Sequence, residues 1–273
     1  MSSLEHRLSK VSETLDRMHP SGLLYTTYEA RLLDQLDRSR LPQHVAVLAD
    51  GNRRWARLNA PGEPLVTGYE AGADRLREFC TWCDAVGTPI ITLWVLSTDN
   101  LQRAETGELG PLLKVIESLV DSLAANSRWR VQAVGDLDLL PDDMAESLCR
   151  AGRTSAGHVG MHINVAVAYG GRHELRDAVR SLLAEEAEKG TSLADLARTL
   201  EIDQIEDHLY TRGQPDPDLI IRTSGEQRLS GFLMWQSAHS EFYFCEALWP
   251  DFRKVDFLRA LRSFTQRERR YGR

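Results

Sequence analysis

Six short apolar runs recur along the chain with longer amphipathic stretches between them, and this alternation limits the fold more than any other feature. The runs are His44 to Ala49, Pro89 to Leu96, Val131 to Val134, Ile163 to Ala168, Leu219 to Arg222 and Phe242 to Phe244. Several are apolar at nearly every position, which suits strands covered on both faces, as in a parallel sheet packed between helices. Apolar spacing predicts the intervening helices at Ala71 to Val86, Glu108 to Ala125, Asp142 to Ser155, Arg172 to Lys189, Leu193 to Leu200 and Lys254 to Arg267. The expected fold is therefore α/β: a single domain with a mostly parallel six-stranded sheet flanked by helices. Gly22 to Arg40 reads as a charged amphipathic helix, so residues 1–43 are assigned to an N-terminal helical extension and residues 44–273 to the domain that carries the chemistry.

A chain of 273 residues can bury a substantial core as one α/β domain. Its longest apolar run, Ile90 to Leu96, is broken by Thr92 and falls short of the roughly 20 residues that span a bilayer. The polar start, Met1 to Pro20, lacks a signal-peptide core, so a cytoplasmic location is expected. A net charge of -7 argues against nucleic-acid binding, which needs clustered positive charge. The four cysteines do not form the dense framework of a secreted disulfide protein. Cys80 and Cys83 sit in an amphipathic stretch and read as core thiols; His158 and His162 are too distant in sequence to complete a zinc-finger spacing.

In open α/β sheets ligands bind beyond the carboxyl ends of the strands. After the first run comes Asp50-Gly51-Asn52-Arg53-Arg54-Trp55. Gly51 allows close backbone approach, Asn52 suits a helix N-cap, and the following N–H groups would point at an anion, with Arg53 and Arg54 beside them. Asp50 would repel a phosphate unless a divalent cation lay between them, which implies magnesium. A capped surface helix with solvated arginines is the alternative. After the fifth run, Arg222 leads into Thr223-Ser224-Gly225-Glu226-Gln227-Arg228-Leu229-Ser230-Gly231, which reads as a second anion cradle, with solvated loop charges as the alternative. Glu241, just before the sixth run, is either a polar flank of that run or a carboxylate that reaches the same end of the sheet as Asp50. The second run ends at Ser97-Thr98-Asp99-Asn100-Leu101-Gln102-Arg103, which offers hydroxyl, amide and guanidinium groups. No serine–histidine–acid set, Walker loop or dinucleotide fingerprint follows any run. The stripe Leu112, Leu113, Ile116, Leu119, Val120 and Leu123 is either a core face or one wall of an apolar tunnel. Two anion cradles, carboxylates for one metal and neighbouring apolar helices are what joining two prenyl diphosphates requires.

These loops, in this order, resemble the cis-prenyltransferase family of undecaprenyl diphosphate synthase type, over nearly the whole chain from His44 onward. The segments HVAVLADGNRRWA, LSTDNLQR, NVAVAYGGR, DLIIRTSGEQRLSGFLMWQ and SEFYFCEALWPDF carry the resemblance. No DDxxD occurs, which sets the chain apart from the all-helical trans-prenyltransferases. The details are most similar to the short-chain branch that makes (2Z,6E)-farnesyl diphosphate from isopentenyl diphosphate and an allylic primer such as geranyl diphosphate. The resemblance implies that Asp50 and Glu241 are magnesium carboxylates, that Gly51 to Arg54 grip the allylic diphosphate with Trp55 packed nearby, and that Arg222, Arg228, Leu229 and Ser230 hold isopentenyl diphosphate. It gives Asn100 a proton-acceptor position, with Ser97, Thr98, Asp99 and Arg103 as substrate-binding neighbours, and gives Val95 a place beside the prenyl tail that sets product length. Leu65, Tyr69 and Leu101 depart from the long-chain members, where an arginine, a histidine and a tryptophan stand. A longer-chain synthase making a lipid carrier and a non-catalytic partner subunit are the alternative readings. A homodimer, a weak peripheral association with membranes, and a C-terminal tail, Arg267 to Arg273, that reaches the active site across the dimer interface complete the expectations.

Overall fold

The computed structural model describes residues 20–101 and 107–267 of the chain. Six parallel strands form one sheet: β1 (His44–Leu48), β2 (Ile90–Trp94), β3 (Arg130–Val134), β4 (His162–Ala166), β5 (Leu219–Arg222) and β6 (Glu241–Phe244), in the order β3-β4-β2-β1-β5-β6. Each expected strand is present within about two residues. All five residues of β1 are buried because helices cover both of its faces, whereas β6, at the sheet edge, is half-buried to exposed.

The helices are α1 (Pro20–Asp34), α2 (Asn52–Asn59), α3 (Val66–Val86), α4 (Thr98–Leu101), α5 (Leu109–Ala124), α6 (Asp142–Ser155), α7 (Gly171–Glu188), α8 (Leu193–Thr199), α9 (Ile202–Glu206) and α10 (Lys254–Gln266). Helix α3 starts five residues before the point where apolar spacing put it. Its first turns carry Gly68 and Gly72, which let the start of α2 approach: a Cβ at Gly68 would lie 2.3 Å from the Asn52 carbonyl oxygen, and one at Gly72 2.4 Å from Asn52 Oδ1. Such positions carry no apolar period, so periodicity alone overlooks them. Cys80 and Cys83 are fully buried on α3 beside Phe79, and burial pushes both thiols well above their usual range.

The described residues fall into two compact units. Pro42–Phe252 holds the sheet. The described parts of Met1–Leu41 and Arg253–Arg273 make the other, in which α1 packs on α10, the Arg253 guanidinium lies 4.8 Å from the Tyr25 ring centroid, and Lys254 Nζ pairs with Glu29 at 3.2 Å. The single helix expected over Gly22 to Arg40 divides instead into α1 and a 3-10 turn at Arg38–Arg40. Asp37, in extended conformation, accepts the Ser39 N–H at 3.1 Å and starts that turn anew.

At the amino ends of the strands, polar side chains form a buried network. His44 Nδ1 lies 2.7 Å from the Pro215 carbonyl, which can only accept, so this nitrogen carries the proton and Nε2 accepts from the Thr92 hydroxyl at 2.8 Å. Asn164 Nδ2 donates to Thr92 Oγ1 and to Gln214 Oε1.

Candidate active site

A cavity of about 780 Å³ lies beyond the carboxyl ends of β1, β2 and β5, bounded by α2, α3 and α5. Its polar end brings together most of the residues singled out in the sequence: Asp50, Gly51, Asn52, Arg53 and Arg54 from the first loop, Ser97, Asp99 and Asn100 from the second, and Arg222, Arg228 and Ser230 from the third. Its other end is apolar, with Leu76 from α3, Val95 and Leu96 just beyond β2, and Leu112, Ile116 and Leu119 from α5. The α5 stripe thus serves both readings, core face and cavity wall.

Local backbone chemistry fixes the first loop. Gly51 has φ +113°, and a Cβ there would sit 2.9 Å from Leu248 Cδ2, so only glycine fits. Gly51 itself is the N-cap of α2; Asn52, expected in that role, is the first helical residue and donates Nδ2 to the Ala49 carbonyl at 3.3 Å. With the left-handed residue at position 51, the chain enters the helix one residue earlier than a side-chain cap at Asn52 would require. Asp50 is anchored by its backbone, its N–H reaching Thr223 Oγ1 at 3.0 Å and its carbonyl accepting from Thr223 Oγ1 at 2.7 Å and from the Trp249 N–H at 3.0 Å.

Arg222 ties the first and third loops together. Its side chain is 4% exposed; Nη2 meets Asp50 Oδ2 at 3.2 Å, and Nη1 donates to Ser230 Oγ at 3.0 Å and to the Arg228 carbonyl. Its Nε is buried with no protein acceptor. Arg228 is 66% exposed and pairs with Glu226. The third loop is conformationally demanding, because Ser224, Ser230 and Leu233 hold φ of 76°, 52° and 44° without being glycine. In the second loop the Asn100 N–H donates to Ser97 Oγ at 3.1 Å, which fixes Asn100 one short turn beyond β2.

Four expected site residues stand apart. Glu241 begins β6 and is in register with Leu219 at the amino end of β5, whereas Asp50 follows the carboxyl end of β1. Because the strands are parallel, the two carboxylates lie at opposite ends of the sheet within one chain, and the expectation that they share one end does not hold. Trp55 is not among the cavity-lining residues; its indole N–H donates to Asp251 at 2.8 Å. Thr98 is buried, its N–H bound to the Tyr169 carbonyl, and Leu229 packs on the apolar cluster around Phe232. Arg103 and residues 268–273 of the tail lie outside the described residues.

A prenyltransferase family model, described as undecaprenyl diphosphate synthase, matches residues 48–272. The chain belongs to that family. Among the relatives of this cis-prenyltransferase, (2Z,6E)-farnesyl diphosphate synthase of Thermobifida fusca is 58% identical over 249 residues, covering 91% of this chain and 97% of the relative. Isoprenyl transferase 1 of Streptomyces avermitilis is 55% identical over 92% of this chain and 96% of its own. Among solved structures, lavandulyl diphosphate synthase from Lavandula x intermedia in complex with dimethylallyl diphosphate superposes with a TM-score of 0.78 at 34% identity, covering 86% of this chain and 100% of that one.

The cavity of this prenyltransferase also takes in Arg57 and Glu108, which sequence reasoning passed over, and Tyr69, which it marked only as a departure from the long-chain members. Arg57 stands one helical turn beyond Arg53, a spacing that could have marked it. Tyr69 and Glu108 come from α3 and from the residue before α5, with Tyr69 Oη 3.4 Å from Glu108 Oε2; only the packing of those two helices joins them. Among the described residues, no three His, Cys, Asp or Glu side chains gather as a metal shell, and no helix is long and apolar enough to cross a membrane.

Proposed function

We propose that this cis-prenyltransferase condenses isopentenyl diphosphate with a short allylic diphosphate, geranyl diphosphate being the fitting primer, and releases (2Z,6E)-farnesyl diphosphate. One observation carries the reading: two arginine-bearing loops and Asp50 meet at the polar end of a cavity whose other end is apolar. The names of the relatives from Thermobifida fusca and Mycolicibacterium smegmatis, both (2Z,6E)-farnesyl diphosphate synthases, support the product.

In this reading the allylic diphosphate lies against the backbone N–H groups at the start of α2, whose partial positive charge suits an anion, with Arg53 and Arg54 closing on it. Isopentenyl diphosphate takes the other cradle, Arg222, Arg228 and Ser230, which supplies the paired guanidinium donors that hold phosphate oxygens. The two hydrocarbon parts then share the apolar end, beside Val95. Magnesium fits this donor set: the Asp50 side chain is 43% exposed to the cavity, and the ion is commonly held by one or two carboxylates together with substrate phosphates. When bound, it neutralises charge on the departing diphosphate. Asn100 positions the isopentenyl group. A neutral amide has almost no basicity, so the proton lost on forming the new double bond goes to a diphosphate oxygen.

In the same reading the enzyme is a cytoplasmic homodimer with a weak peripheral association with membranes; the open edge of β6, where Phe242 and Phe244 stack at 6.3 Å, suits the dimer. The test is incubation of the purified protein with magnesium, labelled isopentenyl diphosphate and geranyl diphosphate. One condensation and a Z double bond are expected. Absence of incorporation refutes the enzyme reading and favours a partner subunit, while a ladder of long products refutes the short-chain assignment.

A further inference from the structure

The apolar end of the cavity has a second hollow behind it. A groove of about 630 Å³ opens on the outer side of α3 and α5, lined mostly by Val66, Glu70 and Arg77 from α3 and by Pro111, Lys114 and Ser118 from α5. Helical spacing relates the two hollows. On α5 the cavity is lined by Leu112, Val115, Ile116 and Leu119, and the groove by Pro111, Lys114, Val115 and Ser118: the same period, displaced by one residue and sharing Val115. On α3 the cavity is lined by Tyr69, Gly72, Ala73 and Leu76, while the groove takes Val66, Glu70, Ala73, Asp74 and Arg77, and the shared residue is Ala73. Ala73 is buried and Val115 half-buried, and α3 and α5 are packed neighbours. A small and a medium side chain are therefore all that both hollows have in common.

We propose that Ala73 and Val115 form the side wall that confines the prenyl chain, and that the outer groove is the path a longer chain takes once that wall is thinned. The inference rests on the prenyl-transfer reading above. Its occupant is the hydrocarbon end of the protein's own product, which each further condensation with isopentenyl diphosphate pushes away from the diphosphate cradles. A wall at the side acts differently from a floor. Trimming a floor gains the volume of the removed methyl groups, whereas opening a side wall joins the cavity to a groove of comparable size, so the product range should widen by several isoprene units.

The experiment compares product sizes from labelled isopentenyl diphosphate and geranyl diphosphate for the wild type, Val115→Ala, Ala73→Gly, Ser118→Trp, and Val115→Ala combined with Ser118→Trp. Ser118 is exposed and lines only the groove. Products longer by more than one isoprene unit are expected from Val115→Ala, and independently from Ala73→Gly, so a folding failure of one variant leaves the other to decide. Ser118→Trp should shorten the products again in the Val115→Ala background and leave the wild-type product length as it was. Unchanged product length in the single wall variants overturns the proposal. Long products that Ser118→Trp does not shorten overturn the outer path. A wild type that incorporates no label refutes the prenyl-transfer reading itself, and that outcome is separate from the other two.

Discussion

Asp50 and Arg222 are the pair on which the polar end of the cavity turns, and their environments differ. Asp50 reaches the cavity, whereas Arg222 is almost wholly buried and joins two loops. Replacing Asp50 by Ala should lower kcat by about a thousandfold, because a cation about 4 Å from a carboxylate contributes roughly 4 kcal/mol at an effective dielectric of about 20. An exposed ion pair would contribute only about 0–1 kcal/mol. Steady-state rates in saturating magnesium decide; more than a tenth of wild-type turnover removes Asp50 from the chemistry. The two arginines of the second cradle should separate in their effects. Arg228 is exposed, so Arg228→Ala should raise KM for isopentenyl diphosphate far more than KM for the allylic primer and leave Tm alone. Arg222→Ala should raise the same KM and also lower Tm, because it leaves Asp50 and the Ser230 turn without their common donor. Equal changes in both KM values for Arg228→Ala contradict the assignment of the cradle.

Among the secondary elements, the junction of α2 with α3 sets the shape of the cavity roof. A Cβ at Gly72 would press on Asn52 Oδ1, at the head of the helix that presents Arg53 and Arg54. Gly72→Ala should therefore cost about 1–3 kcal/mol by overpacking and reduce kcat/KM for the allylic substrate, measured by chemical denaturation and by kinetics. Unchanged values in both would mean that the helix start gives way freely. This junction also marks how far the sequence could be read. The strands were legible because an apolar run covered on both faces shows itself residue by residue, as in Val45, Ala46 and Val47. The loops after β1, β2 and β5 were legible because a parallel sheet puts all three at one end. The position of Glu241 was not, since a residue before a short strand shows its end of the sheet only once the strand direction is known. Nor was the tie between Tyr69 and Glu108, which depends on how two helices pack.

For the whole molecule, the parallel sheet divides labour between its two ends. The carboxyl ends border the cavity proposed for the chemistry, and the amino halves carry the His44, Thr92 and Asn164 network, with His162 in register on β4. Burial, followed by the nearby Arg130, lowers the His162 pKa to about 4, and burial also holds His44 below its ordinary value. The folded state thus refuses protons that the unfolded chain accepts. Stability from this source is complete above the unfolded pKa of about 6.5 and is lost as pH falls toward about 4. Denaturation midpoints should drop across that window, and His162→Gln should flatten the drop; an unaltered slope would clear His162. Finally, the left-handed residues at 224, 230 and 233 carry a thermal consequence. Each costs on the order of 1–3 kcal/mol and must be held by its surroundings, so the segment that contains them has the least reserve against heating. Warming should therefore silence the catalyst while the sheet is still intact, with the midpoint for loss of activity falling below the calorimetric one. Ser224→Gly, which relieves φ of 76° and removes a buried hydroxyl without a partner, should bring the two midpoints together.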